Sequence, residues 1–249
     1  GLVSRLSIRP IAVHNKSGLF RWWGSDAKIG QMESMNPVFA RLKESRIVAV
    51  VMIEDVDHAV PLAQALLRGG VKAIELTLRT EAAIEGLKNI AAQVREMLVG
   101  GGTILSPEQV QEVYEAGAAF GVSPGTNPRV LAAAREFGLP FAPGIATPSD
   151  IEVALEYHCS VLKFFPAEGL GGLSYLQNIA APYRHLKLRY LPLGGVNEGN
   201  LAQYMASPDI LAVGGSWLAP KAMLEAQDWS GIEALARRAS ELAAVGASQ

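Results

Sequence analysis

From Met35 onward the chain alternates between two patterns. Short runs of branched apolar residues are followed by longer stretches rich in Ala, Leu, Glu and Arg. The apolar runs are Ile47–Ile53, Lys72–Leu78, Met97–Gly101, Ala119–Ser123, Pro140–Ile145, Val161–Phe165, Leu188–Leu193 and Ile210–Val213. Most are continuous rather than alternating, the signature of strands buried on both faces. The intervening stretches carry helix-start signals. Ser106-Pro107-Glu108 sets a capping hydroxyl before a proline at the first helical position, and Thr126-Asn127-Pro128 and Thr147-Pro148-Ser149-Asp150 repeat the scheme. Asn197 precedes a predicted helix around Leu201 to Met205, and Leu87, Ile90 and Val94 share one helical face.

Eight strands alternating with helices predict a single-domain α/β fold, the closed parallel (β/α)8 TIM barrel, over residues 35–249. The competing architecture is an open doubly wound sheet, but no Gly-x-Gly-x-x-Gly follows the first strand. Residues 1–34 follow no steady period and hold five basic residues against Asp26 and Glu33. They read as an N-terminal extension outside the fold; a basic targeting peptide and a structural arm are the other readings.

Composition narrows the function. Hydrophobic residues make up 49% and charged residues 18%, enough for a buried core and against disorder. A net charge of −2 gives no basic field for nucleic acid or an anionic membrane. Ile47–Ile53 is the longest apolar run, and a bilayer needs about 20 residues. The lone cysteine, Cys159, excludes an intrachain disulfide, fits a reducing, cytoplasmic setting, and reads as a small packed residue rather than a nucleophile.

In a parallel barrel the chemistry sits at the C-terminal ends of the strands. Lys163 lies within the apolar run Val161-Leu162-Lys163-Phe164-Phe165-Pro166. Removing water from an amine disfavours the ammonium, and a free amine in an apolar site can form an imine with a ketone. Alternatively its stem packs while its head reaches solvent. Glu75 interrupts Ala73-Ile74-Glu75-Leu76 and could move protons or simply pair with a buried cation. A period of two places Glu75, Thr77 and Arg79 on one face, where the Arg79 guanidinium could grip a carboxylate or form a rim ion pair. Gly194-Gly195 and Gly214-Gly215-Ser216 end the seventh and eighth predicted strands, where such barrels often cradle phosphate on backbone N–H groups. None of the four histidines forms a ligand-spaced pair, so no metal is expected, and no Gly-x-Ser-x-Gly elbow suggests an acyl hydrolase.

Five segments, in order, carry a family resemblance: Glu75-Leu76-Thr77-Leu78-Arg79-Thr80, Gly101-Gly102-Thr103-Ile104-Leu105, Ser123-Pro124-Gly125, Lys163-Phe164-Phe165-Pro166-Ala167-Glu168 and Gly214-Gly215-Ser216-Trp217-Leu218. Over about residues 40–245 the chain resembles the class I 2-keto-3-deoxy-6-phosphogluconate aldolases. The resemblance implies a homotrimeric, cytoplasmic barrel without metal or cofactor, serving the Entner–Doudoroff pathway. The implied reaction cleaves a phosphorylated keto-deoxy sugar acid to pyruvate and glyceraldehyde 3-phosphate. Its partner is that small molecule, not nucleic acid or membrane. It implies Lys163 as the Schiff-base lysine and Glu75 as the general acid/base. Arg79 and Thr103 would hold the pyruvate carboxylate, Pro124 and Phe165 would line the pyruvate pocket, and Gly194, Gly195 and Ser216 would bind phosphate. Two departures stand out. Gly101 replaces a common alanine, and Leu193 replaces a common threonine, which bears on the hydroxyls near the phosphate. The rival readings are 4-hydroxy-2-oxoglutarate or the 6-phosphogalactonate epimer as main substrate, a phosphosugar isomerase that makes no imine, and a binding protein without turnover.

Overall fold

The structure is a computed structural model and describes residues 35–246. The extension expected over residues 1–34 lies outside the described residues. Strands β1 (Ile47–Val51), β2 (Ala73–Thr77), β3 (Leu98–Gly102), β4 (Phe120–Val122), β5 (Phe141–Ala142), β6 (Gly144–Ile145), β7 (Val161–Phe164), β8 (Arg189–Pro192) and β9 (Val213–Gly215) alternate with helices. All their pairings are parallel. One sheet runs β5-β4-β3-β2-β1-β9 and the other β6-β7-β8. Two isolated parallel bridges, Tyr190↔Ile210 and Leu193↔Gly214, connect the β8 and β9 segments.

The run Pro140–Ile145 divides into β5 and β6 around Pro143, which has no N–H to give to a ladder. Its carbonyl still accepts the Lys163 N–H at 2.8 Å. The final strand also differs from expectation. Ile210 makes a single bridge, and pairing with β1 begins only at Ile47↔Val213. Apolarity over Ile210–Ala212 therefore marks burial rather than pairing.

Both faces of the strands are buried, and the residues sort by parity into two cores. Ile47, Ala49, Val51, Ile74, Leu76, Leu162 and Phe164 pack outward against the helices. Val48, Ala73, Leu98, Phe120, Val122, Ala142, Val161, Leu191 and Leu193 form a second, inner cluster. Burying each such Val, Leu or Phe contributes about 1.5–3 kcal/mol. Phe39 and Leu42, on the helix Pro37–Ser45, join the inner cluster. That helix starts where the Asn36 side chain accepts the Val38 N–H at 2.9 Å.

The expected caps at Ser106, Asn127 and Thr147 are present, and at Thr147 the Asp150 carboxylate accepts the Thr147 N–H at 2.8 Å to complete a capping box. Asn197 precedes the helix expected around Leu201 to Met205, and its side-chain oxygen accepts the Gly199 N–H at 2.8 Å in the turn between them. The short helix Leu201–Met205 begins after Asn200, with no side-chain cap. Asn197 and Asn200 instead donate their side-chain amides to the Gly195 carbonyl, at 3.0 and 3.2 Å.

Candidate active site

Among the described residues two charged side chains are buried, and both lie on the inner face. Glu75 lies between Ala73 and Thr77 on β2, and Lys163 lies between Val161 and Phe165 at β7. The same alternation that sends Ile74 and Leu162 outward turns these two inward. Lys163 Nζ stands 3.2 Å from Glu75 Oε1, with the two side chains only 6% and 1% exposed. Burying both charges is costly and is offset only by close pairing. The Phe165 ring centroid lies 5.3 Å from Lys163 Nζ, a further favourable contact for a cation. Glu75 Oε2 is buried and makes no hydrogen bond within the described chain. The pair therefore holds one engaged oxygen and one oxygen able to accept a proton from another molecule.

Three consecutive glycines leave room for this pair and its surroundings. A Cβ on Gly100 would meet the Phe120 ring at 2.4 Å, and one on Gly101 would meet Val113 Cγ1 at 2.6 Å. The alanine-to-glycine departure at 101 is thus matched by Val113 filling that space. A Cβ on Gly102 would lie 2.0 Å from Glu75 Oε1. Gly102 is a site residue that the strand pattern alone does not single out, and its place in Gly101-Gly102-Thr103-Ile104-Leu105 is the one signal for it in the sequence.

Thr103 follows at φ +56°, a conformation that a β-branched residue adopts only under constraint, and such strain clusters at functional sites. Pro124 lines a cavity of about 290 Å³ with Ile104, Leu105 and Thr126, which reaches neither Lys163 nor Glu75. A Cβ on Gly144 would meet the Pro124 carbonyl oxygen at 2.1 Å, so glycine there permits the close approach of β6 to the Pro124 loop. Arg79 stands beyond the end of β2. The β2 ladder ends at Thr77↔Gly102, and Arg79 lies exposed in the bend beyond it, its N–H donating to the Thr77 carbonyl at 2.8 Å. The period of two does not carry as far as Arg79.

Gly194 and Gly195 follow β8 with φ of +94° and +84°, a left-handed backbone that suits glycine. Ser216 is exposed immediately after β9. Gly214 and Gly215 lie within the β9 ladder, opposite Val48 and Ala49. Each has a steric reason to be glycine: added Cβ atoms would meet the Leu193 side chain at 2.5 Å and the Trp217 ring at 1.5 Å. The departure at Leu193 is accommodated there, since its buried side chain fills the space above Gly214.

Cys159 is half-buried, and burial pushes its thiol up to about 12. At pH 8 its thiolate fraction is then about a thousandfold below that of an ordinary cysteine thiol. Because a thiolate of higher pKa is also the stronger nucleophile, iodoacetamide is expected to label it at least about tenfold more slowly than a model thiol, measured by intact mass. Labelling at the model rate would show that the thiol is not held in its protonated form.

A sequence model described as "Aldolase: KDPG and KHG aldolase" matches residues 38–235. The chain belongs to the KDPG and KHG aldolase family. A family member from Treponema pallidum (strain Nichols), 2-dehydro-3-deoxy-phosphogluconate aldolase, is 44% identical over 211 residues, covering 85% of this chain and all of that protein. Among solved structures, the 2-keto-3-deoxy-6-phosphogluconate aldolase of Zymomonas mobilis ZM4 with 3-phosphoglycerate superposes with a TM-score of 0.77 at 36% identity, covering 83% of this chain and 96% of that one. The KDPG aldolase of Legionella pneumophila, with pyruvate captured at low pH as a covalent carbinolamine intermediate, gives a TM-score of 0.77 at 34% identity, covering 81% and 97%. The family assignment places the Lys163–Glu75 pair in an α/β fold whose relatives act on keto acids.

Proposed function

We propose that the chain is a class I aldolase that cleaves 2-keto-3-deoxy-6-phosphogluconate to pyruvate and glyceraldehyde 3-phosphate through a Schiff base on Lys163. The observation that carries this reading is the buried 3.2 Å contact between Lys163 Nζ and Glu75 Oε1. Transfer of one proton along it leaves a neutral amine beside a neutral carboxyl, and the amine is the nucleophile imine chemistry requires.

Lys163 attacks the substrate's C2 carbonyl to give a carbinolamine, and Glu75 returns its proton to the departing hydroxyl, so that water leaves and the protonated imine remains. Glu75, ionised again, takes the C4 hydroxyl proton, and its free Oε2 suits that task. The C3–C4 bond breaks, its electron pair flows into the imine, and the aldehyde departs. The resulting enamine is protonated at C3, and water releases pyruvate and the free amine. Arg79 and Thr103 hold the substrate carboxylate, an orientation effect; Pro124 and Phe165 line the pyruvate end; Gly194, Gly195 and Ser216 take the phosphate. The strained backbone of Thr103 and the left-handed glycines support these roles.

The strands close into one (β/α)8 barrel in residues 35–249, and the protein works as a cytoplasmic homotrimer without metal or cofactor. Closure is supported by the two parallel bridges between β8 and β9 and by the unbroken chain from β5 through Pro143 to β6. Among the described residues no helix is long and apolar enough to cross a membrane. The same machinery would cleave 4-hydroxy-2-oxoglutarate to pyruvate and glyoxylate, an activity in keeping with the two substrates in the family's description.

Incubation with pyruvate and sodium borohydride, followed by peptide mass spectrometry, tests the central step. A reduced adduct on Lys163, absent without pyruvate, is expected. A folded sample that gains no adduct returns the isomerase and binding-protein readings to the front.

A further inference from the structure

Glu168 closes the Lys-Phe-Phe-Pro-Ala-Glu segment and has no part in the mechanism above. Its backbone N–H donates to the Gly194 carbonyl at 2.9 Å. Its stem lies against the next residue: a Cβ on Gly195 would stand 2.5 Å from Glu168 Cβ and 2.7 Å from its Cγ. Although Glu168 is exposed, its carboxylate is anchored, because Oε1 accepts the hydroxyl proton of Tyr204. Tyr204 is 1% exposed and sits in the helix Leu201–Met205. Burial first, and the hydrogen bond to Glu168 second, push its phenol above the usual range, so it remains a donor. Gly172 leaves room for this contact, since a Cβ there would lie 3.0 Å from Glu168 Oε1.

The diglycine is thus fixed from two sides. Asn197 and Asn200 grip the Gly195 carbonyl, while Glu168 covers the Gly195 Cα. Two adjacent glycines have more conformational freedom than any other pair of residues, and a backbone that must present fixed N–H groups has to lose it. A carboxylate is a poor direct partner for a phosphate, because the two repel. Its useful property here is reach: a stem long enough to cross Gly195 and a head that Tyr204 can hold.

We propose that Glu168, locked by Tyr204, is a positioning residue that keeps Gly194-Gly195 in its left-handed conformation and so sets selectivity for the phosphorylated end of the substrate. This rests on the aldolase function proposed above. The test compares kcat and KM of the full chain and its Glu168→Ala, Glu168→Gln and Tyr204→Phe variants, on 2-keto-3-deoxy-6-phosphogluconate and on 4-hydroxy-2-oxoglutarate. With Glu168→Ala, KM for the phosphorylated acid is expected to rise about tenfold, while its kcat and both constants for the unphosphorylated acid stay within about twofold. Glu168→Gln retains the stem and an oxygen that accepts from Tyr204, so it restores most of the lost affinity. Tyr204→Phe falls between the two. Equal losses on both substrates, or a glutamine variant no better than alanine, overturn the proposal. A parent chain that cleaves neither acid overturns the aldolase function itself, and is recognised before any variant is compared.

Discussion

Replacing Lys163 by alanine is expected to abolish cleavage of both keto acids and the borohydride-trapped pyruvate adduct together. Removing a covalent nucleophile typically costs on the order of 10⁶-fold in turnover. The loss follows from position. Lys163 is the buried lysine of the inner face, beside Glu75 and below the Phe165 ring, and imine formation needs an amine at that point. The variant also leaves the Glu75 carboxylate buried without its cation, and breaking a buried pair in this way costs about 3–5 kcal/mol. A lower thermal midpoint is therefore expected with the fold retained, and Lys163→Ala combined with Glu75→Gln should recover part of it. Pyruvate release measured beside circular dichroism separates the two effects. A folded single variant that keeps more than about one per cent of parental turnover would remove Lys163 from the chemistry, since residual catalysis without a nucleophile lies far lower.

The positions of Lys163 and Glu75 were legible because a strand buried on both faces makes any charged residue conspicuous. The apolar runs located the strands for the same reason. What failed to read out depends on partners that sequence does not show. A strand's end is set by its neighbour: β2 stops where its ladder to β3 stops, at Thr77↔Gly102, so Arg79 falls outside a period that the sequence alone would extend. Ile210, Leu211 and Ala212 look like strand because they are buried, yet the ladder with β1 begins at Val213. Asn197 carries the right side chain for a helix cap, but its oxygen accepts the Gly199 N–H at 2.8 Å in the turn ahead of the helix, and Leu201 starts the helix only after Asn200. Glycine is the least legible of all. Gly194 serves a left-handed turn and Gly214 yields space to Leu193, while in sequence the two look alike.

Gly102 is the sharpest case, and its substitution should act almost wholly through Glu75. Its backbone φ is not in the left-handed region, so alanine meets no conformational obstacle. The obstacle is the carboxylate: the new methyl carbon would lie 2.0 Å from Glu75 Oε1, 2.5 Å from Cγ and 2.6 Å from Cδ. Gly102 cannot easily retreat, because it is in register with Thr77 and its carbonyl accepts the Leu78 N–H at 2.8 Å. The flexible end of Glu75 yields instead, and the 3.2 Å contact with Lys163 is lost. Gly102→Ala is thus expected to cost about 1–3 kcal/mol of stability, the usual range for overpacking. Turnover should fall much further, by about 10²–10⁴-fold, the share a positioned general acid/base commonly supplies. The control is a cycle with Glu75→Ala, which by itself should lower turnover by a similar factor. In that background the added methyl no longer meets a carboxylate, so Gly102→Ala should change kcat very little. Equal losses in both backgrounds would mean that the methyl distorts β3 rather than moving Glu75, and Gly102 would then be a residue of the fold alone.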